Sequence, residues 1–340
     1  MSVSRIGDFF FESTAGGDKR KRISSDHPGL KNPSNFCFAN ALVQCLTVFE
    51  PFQYLPANSD NVTVSNLKLL IDGLKRSDFV GDSQVRDLLA SITLHEVGHL
   101  QYDATKKNYK ISIREKKHHI RQNDPGELFS LIFRECEPNP IFTPGILLIS
   151  LSKIECQAPV YTNSYGKVIR PYTSIREDAV GLITIPMYDQ PIDIGNFIAM
   201  EDAELIESEF DDSVVENDST LLSIICPIYK RGEENHKKSI SYLPTVNTKG
   251  VAIYINRNES GMKKTTPLEI SDRITFQNEM EFKLVAFLCH EGHSNRSGHY
   301  IAYAQRDDRW YEFNDNKVTE MPNINLGDFF QKVTMLFYNR

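Results

Sequence analysis

The sequence predicts an α+β fold, and three features carry that prediction. Apolar residues recur at helical spacing in "CFANALVQCLTVF", residues 37–49. The C-terminal third instead alternates apolar and polar residues, as paired strands do. No Gly/Ser linker and no internal repeat interrupts the chain from about residue 26 onward, so both patterns belong to one domain.

At 340 residues and a formal net charge of −7, the chain has the apolar and charged fractions of an ordinary globular protein. A protein that tracks nucleic-acid phosphates needs a surplus of Lys and Arg, and this chain has the reverse. The longest apolar run, "GILLISL" at 145–151, is too short to span a bilayer. The N-terminus lacks the charged, apolar and small-residue segments of a secretory signal. The six cysteines are therefore expected to be reduced thiols in the cytoplasm or nucleus.

Residues 1–25 form an arm rich in small and charged residues and poor in core formers. Lys19, Arg20, Lys21 and Arg22 suit a nuclear import signal. Ile6, Phe9 and Phe10 have the spacing of a one-turn helix that plugs an apolar pocket, and "RIGDFF" resembles the peptide with which replication proteins bind the sliding clamp, with Val3 where Gln is usual. The related "LGDFF" at 326–330 is expected to pack inside the fold.

From Cys37, residues Ala41, Leu42, Cys45, Leu46 and Phe49 mark an amphipathic helix with Pro33, Ser34 and Asn35 as its lead-in. A cysteine in the first helical turn meets unpaired backbone N–H groups and the positive end of the helix dipole, which favour thiolate. Cys45, in mid-helix, is expected in the core. Further on, His95, Glu96 and His99 spell H-E-x-x-H, the pattern of a helical zinc protease site. No further Gly and His follow to complete such a site, and Leu88, Ile92, His95 and His99 would share one helical face at a core edge. In "QNDPGELF", Asp124 caps a helix, Pro125 takes its first position and Glu127 follows three residues after the cap. An excursion runs from about 150 to 255, with "AVGLITIPM" and "GVAIYINR" strand-like and an acidic run between them.

The stretch His299–Ala304, the turn "RDD" and Trp310–Phe313 form a β-hairpin. With Arg306 and Asp307 as its loop, His299 faces Asn314 across the pair. The Asn314 side-chain oxygen can then fix the imidazole tautomer and leave the other ring nitrogen free to deprotonate a thiol.

Together these stretches resemble the ubiquitin-specific proteases, a papain-like cysteine protease family. "GLKNPSNFCFANALVQCL" is similar to the family's cysteine box and "QNDPGELF" to its Q-x-D-x-x-E-F/L box. "LPTVNTKGVAIYINR" is similar to the strand that re-enters the palm, "FKLVAFLCHEGHSNRSGHYIAYAQRDDRWYEFNDNKV" to the histidine box, and "MLFY" to the closing strand. The resemblance covers residues 26–340 and implies thumb, palm and fingers, the last being the excursion at about 150–255. It implies Cys37 as nucleophile, His299 as general base, Asn314 as the residue that orients it and Asp315 as a second polar position. Asn32 is implied as an oxyanion donor, a role worth about 3 kcal/mol in such sites. Asp124 and Glu127 are implied to hold the basic tail of ubiquitin, and the reaction is hydrolysis after its C-terminal glycine. Ser34, Phe36 and Phe38 depart from the family's usual Gly, Thr and Tyr, and the alternative they raise is a ubiquitin-binding module of the same fold with little turnover. Only Cys156 and Cys226 remain of the two C-x-x-C pairs with which many members bind zinc, so fingers without a metal and an enzyme without a cofactor are expected.

Overall fold

The computed structural model describes the chain from residue 27 to 340, except 33–34, 57–58, 77–81, 97–98, 104–107, 114–115, 120–123, 138, 140–141, 157–160, 163–167, 170–172, 188–190, 200–202, 205–235, 260–261 and 295–296. Ile6, Phe9, Phe10, the Lys19–Arg22 run, Ser34 and Cys226 therefore lie outside the described residues.

Four helices form the N-terminal part: α1 (Cys37–Leu46), α2 (Val62–Lys75), α3 (Asp82–Glu96) and α4 (Pro125–Cys136). Among the described residues, side chains cap α2 and α4. Asn61 accepts from the N–H groups of Thr63 and Val64 at the start of α2, and Asp124 accepts from Gly126 at the start of α4, with Pro125 in the first turn. All ten residues of α1 are buried, so the expected amphipathic helix is a central one. Its polar positions Asn40 and Gln44 are accommodated by bonds to other parts of the chain.

An eight-stranded sheet backs these helices. In spatial order it runs Lys317–Met321, Arg309–Asn314, Ser297–Arg306, Glu281–Ser294, Val333–Asn339, Gly250–Asn256 and Ile183–Pro186, with Arg273–Thr275 also pairing along Glu281–Ser294. All these pairings are antiparallel except Gly250–Asn256 with Ile183–Pro186. Alternation along the strands divides the core in two. Ala252, Ala286, Ala302, Ala304, Met335 and Phe337 join α1–α4, whereas Val251, Ile253, Phe287, Ile301, Leu336 and Tyr338 face the second cluster. The alanines let α1 approach the strands Glu281–Ser294 and Ser297–Arg306 closely.

Among the described residues of the stretch expected as an excursion is a four-stranded sheet that includes Leu148–Cys156, Thr173–Val180 and His236–Pro244. The chain returns to the main sheet at Ile183–Pro186 before leaving again, because "ITIP" pairs in parallel with "IYIN". "LGDFF" forms a short 3-10 helix that buries Phe329 against Phe287 and Tyr303 and leaves Phe330 exposed.

Two expectations need correction. H-E-x-x-H is not carried on one helix: α3 ends at Glu96, and His99 begins a strand, His99–Asp103, paired with Asn108–Ile113. The i, i+4 spacing that a helical zinc pair requires, and the shared face with Leu88 and Ile92, both end with that change of backbone. The hairpin loop is Asp307–Asp308, not Arg306–Asp307, and Arg306 pairs with Arg309. Both loop residues have positive φ, 47° and 60°, as a turn matching the strand twist demands.

That turn is built without the usual glycine. Asp308→Gly keeps the left-handed conformation but removes its steric cost to a residue with a Cβ, and is expected to stabilise the fold by about 0.5–1 kcal/mol in urea unfolding. A lower unfolding midpoint would contradict the turn geometry.

Candidate active site

The site forms where the N-terminus of α1 meets the open end of the hairpin. Asn35 takes a left-handed φ of 56°, which asparagine tolerates better than most residues, and Phe36 precedes the helix. The Asn32 side-chain oxygen accepts the Phe36 N–H at 2.7 Å, which turns the chain into α1 and puts Cys37 at its first position.

His299 stands opposite Glu291, beside an irregularity in the pairing of Glu281–Ser294 with Ser297–Arg306. Its Nε2 lies 2.7 Å from Asn314 Oδ1. Extending the observed register makes these residues diagonal rather than direct neighbours, yet they remain on one face because the register differs from expectation by two residues. With Nε2 engaged by Asn314, Nδ1 is the nitrogen left for the thiol. The imidazole is pushed up to about 9, chiefly by its hydrogen bond to the Cys37 side chain, against a lowering by burial, and further by Asn314 and Asp315. Asp315 Oδ2 is 3.8 Å from His299 Nε2.

Asp315 also joins the two halves of the chain. Its Oδ2 accepts from Asn32 Nδ2 at 3.1 Å, its Oδ1 from Asn40 Nδ2 at 2.9 Å, and its backbone oxygen from the Leu30 N–H at 2.9 Å. Its φ is 50°. Gly29 fits below because a Cβ there would stand 2.6 Å from the Asp315 carbonyl oxygen. All five residues expected in the catalytic group, Cys37, His299, Asn314, Asn32 and Asp315, thus come together.

Asp124 and Glu127 act electrostatically on the same ring as Cys37: burial first, and then Asp124, Cys37 and Glu127, raise the Tyr300 phenol. Asp124 is doubly engaged, Oδ1 by the Gly126 N–H at 2.7 Å and Oδ2 by the Tyr254 hydroxyl at 2.7 Å, while Glu127 is exposed. Asn40, Tyr254 and Tyr300 were missed in the sequence. The signal for Asn40 is a carboxamide three residues after Cys37 in a helix whose only other carboxamide is Gln44, whereas nothing local points to the tyrosines.

Chemistry separates the described thiols. Burial is the main cause that raises the Cys45, Cys136 and Cys289 thiols, Cys136 to about 12, which suppresses their thiolates. Cys37 has the histidine. Among the described residues no group of three His, Cys, Asp or Glu side chains could hold a metal ion.

Two outcomes follow from this geometry. A Cys37→Ala variant removes the largest cause of the His299 shift, so by NMR its imidazole titrates below the wild-type value of about 9. The stability this raised group contributes is fully present below about pH 6.5 and is lost as pH rises through about 9, so the wild-type advantage over the variant shrinks across that window. An unchanged His299 titration would contradict the contact. Gly298, with φ 151°, immediately precedes His299, and a Cβ there would stand 2.4 Å from His290 Nε2. Gly298→Ala is expected to cost about 1–3 kcal/mol in unfolding and to displace His299 from Asn314. Wild-type stability in that variant would contradict the packing.

A family model described as ubiquitin carboxyl-terminal hydrolase matches residues 28–338. Ubiquitin carboxyl-terminal hydrolase 13 of Homo sapiens is 41% identical over 61 residues, 17% of this chain and 6% of that protein. Ubiquitin carboxyl-terminal hydrolase 3 of Mus musculus is 40% identical over 57 residues, 17% of this chain and 11% of that protein. The alignments thus span a small part of these relatives' length. Among solved structures, Ubp8 in the SAGA DUB module with Sgf11, Sus1 and Sgf73, bound to monoubiquitin, is similar with a TM-score of 0.56 at 15% identity, covering 96% of this chain and 71% of that one. The Ubp8-Sgf11-Sgf73-Sus1 module gives 0.58 at 16% identity, covering 92% and 67%. At such identities the likeness concerns the fold, an α+β papain-like arrangement of the ubiquitin-specific protease type. With nearly the whole described chain matched, this protein belongs to the ubiquitin carboxyl-terminal hydrolase family.

Proposed function

We propose that the chain is a thiol-dependent deubiquitinase that cleaves isopeptide or peptide bonds after the C-terminal glycine of ubiquitin. One observation carries this reading: His299 is bonded to Asn314 at 2.7 Å through Nε2 and to the Cys37 side chain at the start of α1. Cys37 attacks the glycine carbonyl as thiolate, its proton held by His299. The oxyanion is stabilised by the Asn32 amide, which has a second proton beyond the one given to Asp315, and by backbone N–H groups at the head of α1. His299 then protonates the departing amine, and water activated by the same imidazole releases ubiquitin from the thioester.

Exposed Glu127 offers a carboxylate to an arginine in the ubiquitin tail, while Asp124 holds the α4 terminus and Tyr254 in place beside it. A thiol of this kind works in a reducing compartment, which supports action in the cytoplasm or nucleus.

The test is hydrolysis of a fluorogenic C-terminal ubiquitin conjugate. Wild type turns it over, Cys37→Ala loses more than about a thousandfold of the rate, and chelator has no effect. Full activity in Cys37→Ala, or inhibition by chelator, would overturn the thiol reading.

A further inference from the structure

Asn40 is 2% exposed and sits one turn after Cys37 on α1. Its Nδ2 gives one bond to the Lys31 carbonyl at 3.1 Å and one to Asp315 Oδ1 at 2.9 Å. Its Oδ1 is buried without a hydrogen-bond partner among the described residues. The reverse orientation of the amide would set Oδ1 against two acceptors, so the chemistry of the neighbours fixes the orientation. A helix interior disfavours asparagine, and a buried carbonyl with no partner is costly. Packing would be served as well by an apolar side chain.

What Asn40 does supply is a fixed direction for one carboxylate. Asp315 shares its two oxygens between Asn40 and Asn32, and its Oδ2 is also 3.8 Å from His299 Nε2. Without the bond to Oδ1 the carboxylate can rotate, and the Asn32 amide, whose oxygen accepts the Phe36 N–H at 2.7 Å, loses the acceptor that fixes its Nδ2 end. Lys31, held by the same Asn40 amide, is the residue next to Asn32 in the chain.

We infer that Asn40 is a positioning residue for acyl transfer, clamping Asp315 and the 31–32 backbone so that one Asn32 amide proton is kept for the oxyanion. It acts through Asp315 and Asn32 and touches no reacting atom. The inference deepens the thiol-hydrolase reading and rests on its assignment of Cys37 and Asn32.

The test compares two reactions of the Cys37 thiol, neither of which needs ubiquitin. Acylation by p-nitrophenyl acetate develops an oxyanion, whereas alkylation by iodoacetamide does not. In Asn40→Ala, acylation is expected to fall by about 10- to 100-fold while alkylation stays within about twofold of wild type. In an Asn40→Ala/Asp315→Asn double variant the losses are not additive, since both changes break one linkage. Should Asn40→Ala fail to fold, Asn40→Asp serves: its acylation rate relative to wild type rises as pH falls from about 8 to about 5.5 and the two carboxyls share a proton that restores a donor. Equal losses in acylation and alkylation, an unaffected acylation rate, a flat pH ratio, or a wild type that alkylates but is not acylated would each overturn the inference. Failure of the ubiquitin conjugate assay alone would leave these thiol reactions measurable and would count against the substrate, not against Asn40.

Discussion

The site depends on one carboxylate. Asp315 accepts from Asn32 and Asn40, and its backbone oxygen accepts from Leu30, so the segment that leads into α1 is tied to a turn nearly three hundred residues away in the chain. Two neutral amide donors satisfy it in place of a cation. Its charge therefore remains available to the imidazole 3.8 Å away, where a lysine or arginine partner would have competed for it.

The same helix is held at both ends. Cys37 opens α1, where the helix is electrically positive, and Arg306 reaches its C-terminal end, bonding Gln44 and Thr47 and lying 4.5 Å above the Phe313 ring. Burial holds the Arg306 guanidinium down to about 10, still charged at neutral pH. Arg306 is the last residue of the strand that carries His299 near its start. One strand thus contacts α1 at its C-terminal end through a cation and at its N-terminal end through a base, and the alanines between them allow the close approach.

Local pattern was enough to read the parts of the site that local rules build. The start of α1 at Cys37, the Asp124 cap and the C-terminal hairpin each follow from backbone hydrogen bonding within a few residues. The hairpin register differs by two residues from the one its sequence suggests because Asp307 and Asp308 take left-handed conformations usually left to asparagine and glycine, yet His299 and Asn314 still meet, since a slip of two preserves the face. His99 went the other way. Its spacing from His95 suited a helix, and strand pairing with Asn108–Ile113 decided otherwise, a contact that no window of sequence contains. Asn40 bonds Asp315 as well as nearby Lys31, and Tyr254 bonds Asp124, so these surroundings come largely from partners far along the chain.

Under the proposed function Cys37, placed by α1 and served by His299, is the group that reacts at the ubiquitin C-terminus. Ubiquitin bearing a C-terminal electrophile, followed by intact-mass analysis and peptide mapping, measures this directly. A single added ubiquitin on Cys37 and none on the buried Cys45, Cys136 or Cys289 is expected. An adduct on another residue, or none while the folded protein still binds ubiquitin, would contradict it.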